Sequence, residues 1–188
     1  MKKIDVCFSA SDLAEIQNMV GKRMVKYKCD PFEFSTSVYG IVGVAFEDVS
    51  YSITNFVSVM DFYGEQEDVA LFNIERKPFA NIQSFIKNET MIETPVDSIV
   101  SEILVVNEHQ QLYENDILIY DVLLTRGIVF RFEDGHELSF EKNIWFSEDI
   151  TVKRGYDLIN LFSPTTEFSE SWHDSYRGEC TREILLFK

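Results

Sequence analysis

The sequence predicts a single α+β domain over residues 1–188 that is mainly antiparallel β, with two packed sheets or one strongly curved sheet and two or three short helices. Three observations lead there. Apolar runs rich in Val, Ile, Tyr and Phe recur along the chain, separated by Gly, Pro, Asn and Asp, as strands joined by turns require. No helical period is sustained beyond a few turns. The 188 residues are 45% apolar and include sixteen Phe. A chain of this size buries roughly 70% of its unfolded surface without metal or disulfide staples.

Lys3–Phe8 reads as a first strand. Ser11 or Asp12 offers an N-cap with Glu15 three residues beyond Asp12, and Leu13, Ile16 and Val20 follow at helical spacing before Gly21. A short helix over 12–20 is expected. Strands follow at Met24–Cys29, ended by Asp30-Pro31, then at Val38–Phe46 and Ser50–Met60. Lys22, Lys26 and Lys28 alternate on one face, the pattern of a lysine-guarded edge strand. Gly40-Ile41-Val42-Gly43 lacks the G-K-[ST] of a phosphate loop, so its glycines mark a bulge or a close backbone approach. Ala70, Phe72 and Ile74 alternate with Asn73 and Glu75, as in a half-buried strand, and Pro78 opens a short helical stretch carrying Phe79, Ile82 and Ile86.

Ile99–Val106 and the nearly unbroken apolar run Ile117–Leu124 are paired strands, with Asn107–Asn115 projecting as a polar hairpin. The sharpest local signal is Ile128–Phe140, two apolar runs around Glu133-Asp134-Gly135. A three-residue loop with left-handed Gly135 pairs Phe132 with His136, Phe130 with Leu138 and Ile128 with Phe140, placing Arg131 opposite Glu137 on the other face. A two-residue loop would mix the faces. Trp145-Phe146 and Ile150–Val152 extend the sheet, Tyr156–Phe162 forms two helical turns stopped by Ser163-Pro164, the stretch to Glu179 is irregular, and Ile184–Phe187 closes an edge.

Charge is the main functional signal. Between residues 61 and 125 there are thirteen acidic and three basic residues, a net of −10 out of −15 for the chain. Such a field repels nucleic acid and anionic membrane and attracts basic surfaces. Alternate strand residues lie ~6.6 Å apart, about twice the axial rise per phosphate of one DNA strand, so carboxylates can imitate a nucleic-acid backbone. Asp61, Glu65, Glu67, Asp68, Glu102, Glu108, Glu114 and Asp116 are the candidates for a surface that engages a basic protein partner. Plain solubility is the simpler alternative.

Catalytic and cofactor signatures are missing. Cys7, Cys29 and Cys180 are too scattered for a disulfide framework or thiolate zinc site, and no H-E-x-x-H, EF-hand loop or G-x-S-x-G elbow occurs. No metal or other cofactor is expected. Glu65-Gln66-Glu67-Asp68 and Glu148-Asp149 read as solvated acidic turns. Among the histidines, His173 in Trp172-His173-Asp174 is the most suggestive, although neighbours in an extended chain point apart. The start of the chain lacks the apolar stretch of a secretory signal, and its longest uncharged run is too short for a membrane helix, so a cytoplasmic location and no membrane contact are expected.

The run Ile128–Gly135, with Leu138-Ser139-Phe140-Glu141, Trp145–Glu148 and Arg154–Asp157, resembles small uncharacterised accessory proteins of bacterial mobile elements over residues 127–157. That resemblance implies no activity. Such elements encode acidic inhibitors of defence nucleases and immunity proteins, so it implies a binding role. Two functions are therefore expected: a non-enzymatic acidic inhibitor of a basic, nucleic-acid-handling protein, or an enzyme or small-ligand domain with a pocket from Trp145, Tyr156, Trp172, His173, Asp174 and Arg177.

Overall fold

A computed structural model describes residues 3–143, 147–173 and 175–188, the side chain of Phe62 excepted. Eleven strands form one sheet: β1 (Ile4–Val6), β2 (Arg23–Cys29), β3 (Ser37–Tyr39), β4 (Ile41–Phe46), β5 (Ser50–Phe62), β6 (Glu65–Arg76), β7 (Ile92–Glu114), β8 (Ile117–Phe132), β9 (Glu137–Lys142), β10 (Asp149–Gly155) and β11 (Tyr176–Phe187). Their order is β3-β10-β9-β8-β7-β2-β4-β5-β6, with β1 added to β8 and β11 to β7. Among the described residues every pairing is antiparallel except β1 with β8. The α-helices are α1 (Ala10–Gln17) and α2 (Thr166–Glu170), supplemented by 3-10 turns at Phe79–Asn81 and Leu158–Leu161. The mainly antiparallel architecture with few short helices is thus as expected, and its hydrogen bonding forms one continuous sheet.

Long strands β7 and β8 are the spine. Each pairs with the other along one edge, while its second edge is shared: β7 takes β2 and then β11, and β8 takes β1 and then β9. The Asn115-Asp116 turn between them has φ of 47° and 64°, the left-handed pair that a two-residue hairpin turn demands. Tyr63-Gly64 turns the β5–β6 hairpin the same way, at 58° and 95°.

The 128–140 hairpin has the expected register. Ile128 lies opposite Phe140, Phe130 opposite Leu138 and Arg131 opposite Glu137, and Gly135 is left-handed at φ 83°. Ile128, Phe130 and Phe140 are fully buried, each such side chain contributing roughly 1.5–3 kcal/mol of burial free energy. On the other face Arg131 Nε donates to Glu137 at 2.7 Å. The main core gathers these residues with Val42, Val44, Tyr51 and Ile53 of β4 and β5 and with Ile16 and Met19 at α1.

Several local expectations change. The first helix begins at Ala10, because Ser9 is its N-cap and forms a capping box with Asp12. Glu15 instead accepts from Arg76 and Tyr51. β2 is an interior strand between β4 and β7, so its lysines guard no edge. Lys22 and Lys26 pair with Asp48 and Glu93, and Lys28 is buried against the Phe79 ring. Glu65-Gln66-Glu67-Asp68 is strand, not turn. The helical stretch after Pro78 shrinks to a single 3-10 turn, with Ile82 alone buried. Ile117–Leu124 and Ile128–Phe132 merge into one strand, and the closing strand starts at Tyr176. The glycines at 40 and 43 do mark close approaches: a Cβ would lie 2.7 Å from Phe85 and 3.1 Å from Ile82, respectively. Trp145-Phe146 lies outside the described residues.

Candidate functional site

Strand alternation places Glu108 and Gln110 of β7 on the same face as Gly178, Cys180 and Arg182 of β11, through the pairs Glu108–Arg182 and Gln110–Cys180. Arg126 of β8 joins them. Over this floor the chain from Pro164 to Trp172 forms a roof, and between the two lies a cleft of about 370 Å³. Its roof contributes Glu167, Phe168 and Trp172. The roof sits close because β11 has a glycine beneath it: a Cβ on Gly178 would lie 2.6 Å from Trp172 and 3.1 Å from the Phe168 carbonyl oxygen. Phe168 meets Trp172 edge to face and Tyr120 in a stack.

Buried charges hold the approach to this roof. Glu141 accepts from Arg126 Nε at 3.4 Å, Lys153 Nζ at 3.1 Å and the Ser163 backbone N–H at 2.8 Å. Arg182 Nη2 donates to Glu108 at 2.5 Å and to the Ser163 carbonyl at 2.6 Å. Glu108 also accepts from Gln110 Nε2, whose own oxygen accepts from the Tyr120 hydroxyl. Glu137 accepts from the Leu158 N–H at 2.6 Å. An irregular segment with little apolar periodicity is thereby strapped onto the sheet through charge-assisted hydrogen bonds, the strong kind in a low-dielectric setting.

Arg182 Nε makes no hydrogen bond in this network, and the second exception is Arg126. Its side chain is 7% exposed, yet Nη2 donates no hydrogen bond, and the carboxylate oxygen of Glu167 stands 3.8 Å away. Behind it Lys142 is 2% exposed and donates to the Ala70 carbonyl. Burial, with the Arg126 charge adding to it, pushes the Lys142 ammonium down to about 7. The Cys180 thiol on the cleft floor is pushed up to about 12 by burial, then by Glu108, so it stays protonated and is a poor nucleophile.

The sequence-predicted acidic residues do not form one surface. Asp61, Glu65, Glu67 and Asp68 are exposed together at the β5–β6 end, where Asp61 accepts from the Gly64 N–H at 2.8 Å. Among the described ion pairs none reaches these four. Glu102 bridges Lys188 and Arg131, whose hydrogen bonds hold its carboxyl below the usual range. Glu108 is 4% exposed and belongs to the cleft, which removes it from any docking face. Glu114 ends β7, and Asp116 sits in the turn, 3.6 Å from Arg177.

Of the residues proposed for a pocket, Trp172 lines the cleft. Tyr156 packs instead on His136, its hydroxyl 2.8 Å from Nε2, and Arg177 lies over the Tyr113 ring. His173 is exposed, while Trp145 and Asp174 fall outside the described residues. On neighbouring spine strands, His109 Nε2 and Asp121 Oδ1 stand 2.5 Å apart. Sequence reasoning missed Arg126, Gln110, Phe168 and Cys180. The available signal was Arg126-Gly127 inside the apolar run 117–132, a charge in a strand otherwise patterned for burial. Among the described residues, no three His, Cys, Asp or Glu side chains converge as a metal site. No helix of the described residues is long and apolar enough to cross a membrane.

The site thus defines a half-open cleft with an apolar roof and a charged, mostly satisfied floor. Compared with protein-family models, curated proteins and solved structures, the chain matches none of them.

Proposed function

We propose that the protein binds a small ligand in the cleft beneath α2, as a binding domain and not a catalyst. One observation carries this reading: a concave space of about 370 Å³ gathers buried polar groups and two aromatic rings, and its volume falls within the usual range for small-molecule sites. The protonated Cys180 thiol and the structural engagement of Glu108 leave the cleft without an evident nucleophile or free base. A fragment screen followed by melting temperature is the test. Ligands should stabilise the wild type and lose that effect in Cys180→Phe, whose ring fills the floor. Equal stabilisation of both proteins, or none of the wild type, overturns the reading.

A second reading is favoured by the four exposed carboxylates at the β5–β6 tip, which have no ion-pair partner among the described residues. Here the protein docks on a basic, nucleic-acid-handling partner as an inhibitor or immunity protein, in line with the resemblance over residues 127–157. Complementary charge would make association fast and salt-sensitive. The triple reversal Glu65→Lys, Glu67→Lys, Asp68→Lys should abolish low-salt binding of a short Arg-rich peptide. Undiminished binding removes this reading.

We also infer that the sheet curves strongly. β3 and β4 flank Gly40 in one stretch yet pair with β10 and with β2 and β5, and Tyr27 of β2 packs edge to face on Phe140 of β9. A solution scattering profile matching a flat, extended sheet would contradict that curvature.

A further inference from the structure

The cleft has a specific chemical demand. Arg126 is more than nine-tenths buried, and its Nη2 is a charged donor with no acceptor at hydrogen-bond distance. A buried donor left unmade is costly, more so when charged. The neighbouring carboxylates do not answer it. Glu108 is taken by Arg182 and Gln110, and Glu141 by Lys153, Ser163 and the Arg126 Nε. Glu167, half exposed on the short α2, is the remaining acceptor and stops 3.8 Å short.

We propose that the cleft takes a small aromatic carboxylate, its anionic head on Arg126 Nη2 and its ring against Phe168 and Trp172. This rests on the cleft being a binding site, and it adds the class of ligand. Arginine pairs with carboxylates through directed, charge-assisted hydrogen bonds, so an incoming carboxylate supplies the acceptor that Glu167 fails to provide. Glu108 and Glu167 both line the space, which disfavours a dianion such as phosphate and leaves room for a single negative charge that displaces Glu167 toward solvent. Phe168 and Trp172, packed edge to face with ring centroids 5.8 Å apart, offer faces and edges to a flat ring.

Indole-3-acetate and its neutral isostere indole-3-acetamide are suitable probes, titrated by calorimetry with Trp172 mutated to Phe as a control for ring contact. The acid should bind at least about ten-fold more tightly than the amide. Arg126→Met, which keeps the buried stem, should abolish that preference by weakening the acid far more than the amide. Glu167→Gln should tighten the acid several-fold, because a competing carboxylate is gone. That gain is a readout a merely structural Arg126 would not give, and it is measurable even should Arg126→Met fold poorly. Equal affinities for acid and amide, or an unchanged acid affinity in Glu167→Gln, overturn the carboxylate assignment and leave the cleft reading standing. Binding of neither probe, with fragments of other classes bound, overturns the assignment alone; no fragment bound at all overturns both.

Discussion

Gly127→Ala is expected to lower the melting temperature by about 6–12 °C, from a destabilisation of ~3 kcal/mol at ~2–4 °C per kcal/mol for a chain of this size. Gly127 lies in the middle of β8, opposite Glu141. A Cβ there would stand 2.5 Å from the Phe140 carbonyl oxygen and 2.8 Å from the Phe162 ring. The first contact is with backbone of an adjacent strand, so relief requires the β8–β9 ladder to part. Gly43→Ala is the comparison. Its nearest contacts, at 3.1–3.2 Å, are side-chain atoms of Ile82 and Lys28 and not backbone. A cost of about 1 kcal/mol is expected there. Thermal melts of the two variants side by side are decisive: equal losses would mean that the backbone contact at Gly127 relaxes freely.

The second large effect concerns Lys142. Its ammonium titrates at about 7 in the folded protein, against the ordinary 10.5 of an exposed lysine, because burial disfavours its charge and Arg126 adds to the penalty. Between those values the unfolded chain holds more protons than the folded one, so stability rises with pH. Below 7 both states carry the proton and the cost is constant. The gain from pH 7 to about 9 amounts to roughly 2 kcal/mol. Above that, the thiols of Cys7, Cys29 and Cys180, all raised by burial from their usual 9.0, work in the opposite direction. In Lys142→Met the rise should vanish. Urea unfolding at intervals across this window measures it, and an unchanged slope in the variant would assign the pH dependence elsewhere.

The fold was legible wherever local chemistry is decisive. Glu133-Asp134-Gly135 admits one register that keeps Phe130 and Leu138 on the same face, and that register is the one present. The first helix is readable from Leu13 and Ile16, though its true cap, Ser9, precedes both candidates, Ser11 and Asp12, because the Asp12 carboxylate serves as the box partner and not as the cap. The interior placement of β2 was not legible. Its alternating lysines look solvent-facing, and only β4, β7 and the Phe79 turn, brought from far along the chain, explain how Lys28 is covered. The cleft was hidden for the same reason. Glu108, Arg126 and Glu141 are charged residues on separate strands until Ser163 and Glu167 fold over them. Beyond Phe162 that covering segment carries no periodicity to announce it, since hydrogen bonds from and to Ser163 hold it on Glu141 and Arg182.

The shared edges of the spine also determine how the molecule bears tension. β1 runs parallel to β8, β8 antiparallel to β7, and β7 antiparallel to β11, so β1 and β11 point the same way on opposite sides of a four-strand ribbon. Pulling the beginning of β1 away from the end of β11 therefore drives these strands along their neighbours in opposite senses. The ladders are loaded in shear, and their hydrogen bonds must yield together instead of unzipping singly from one end.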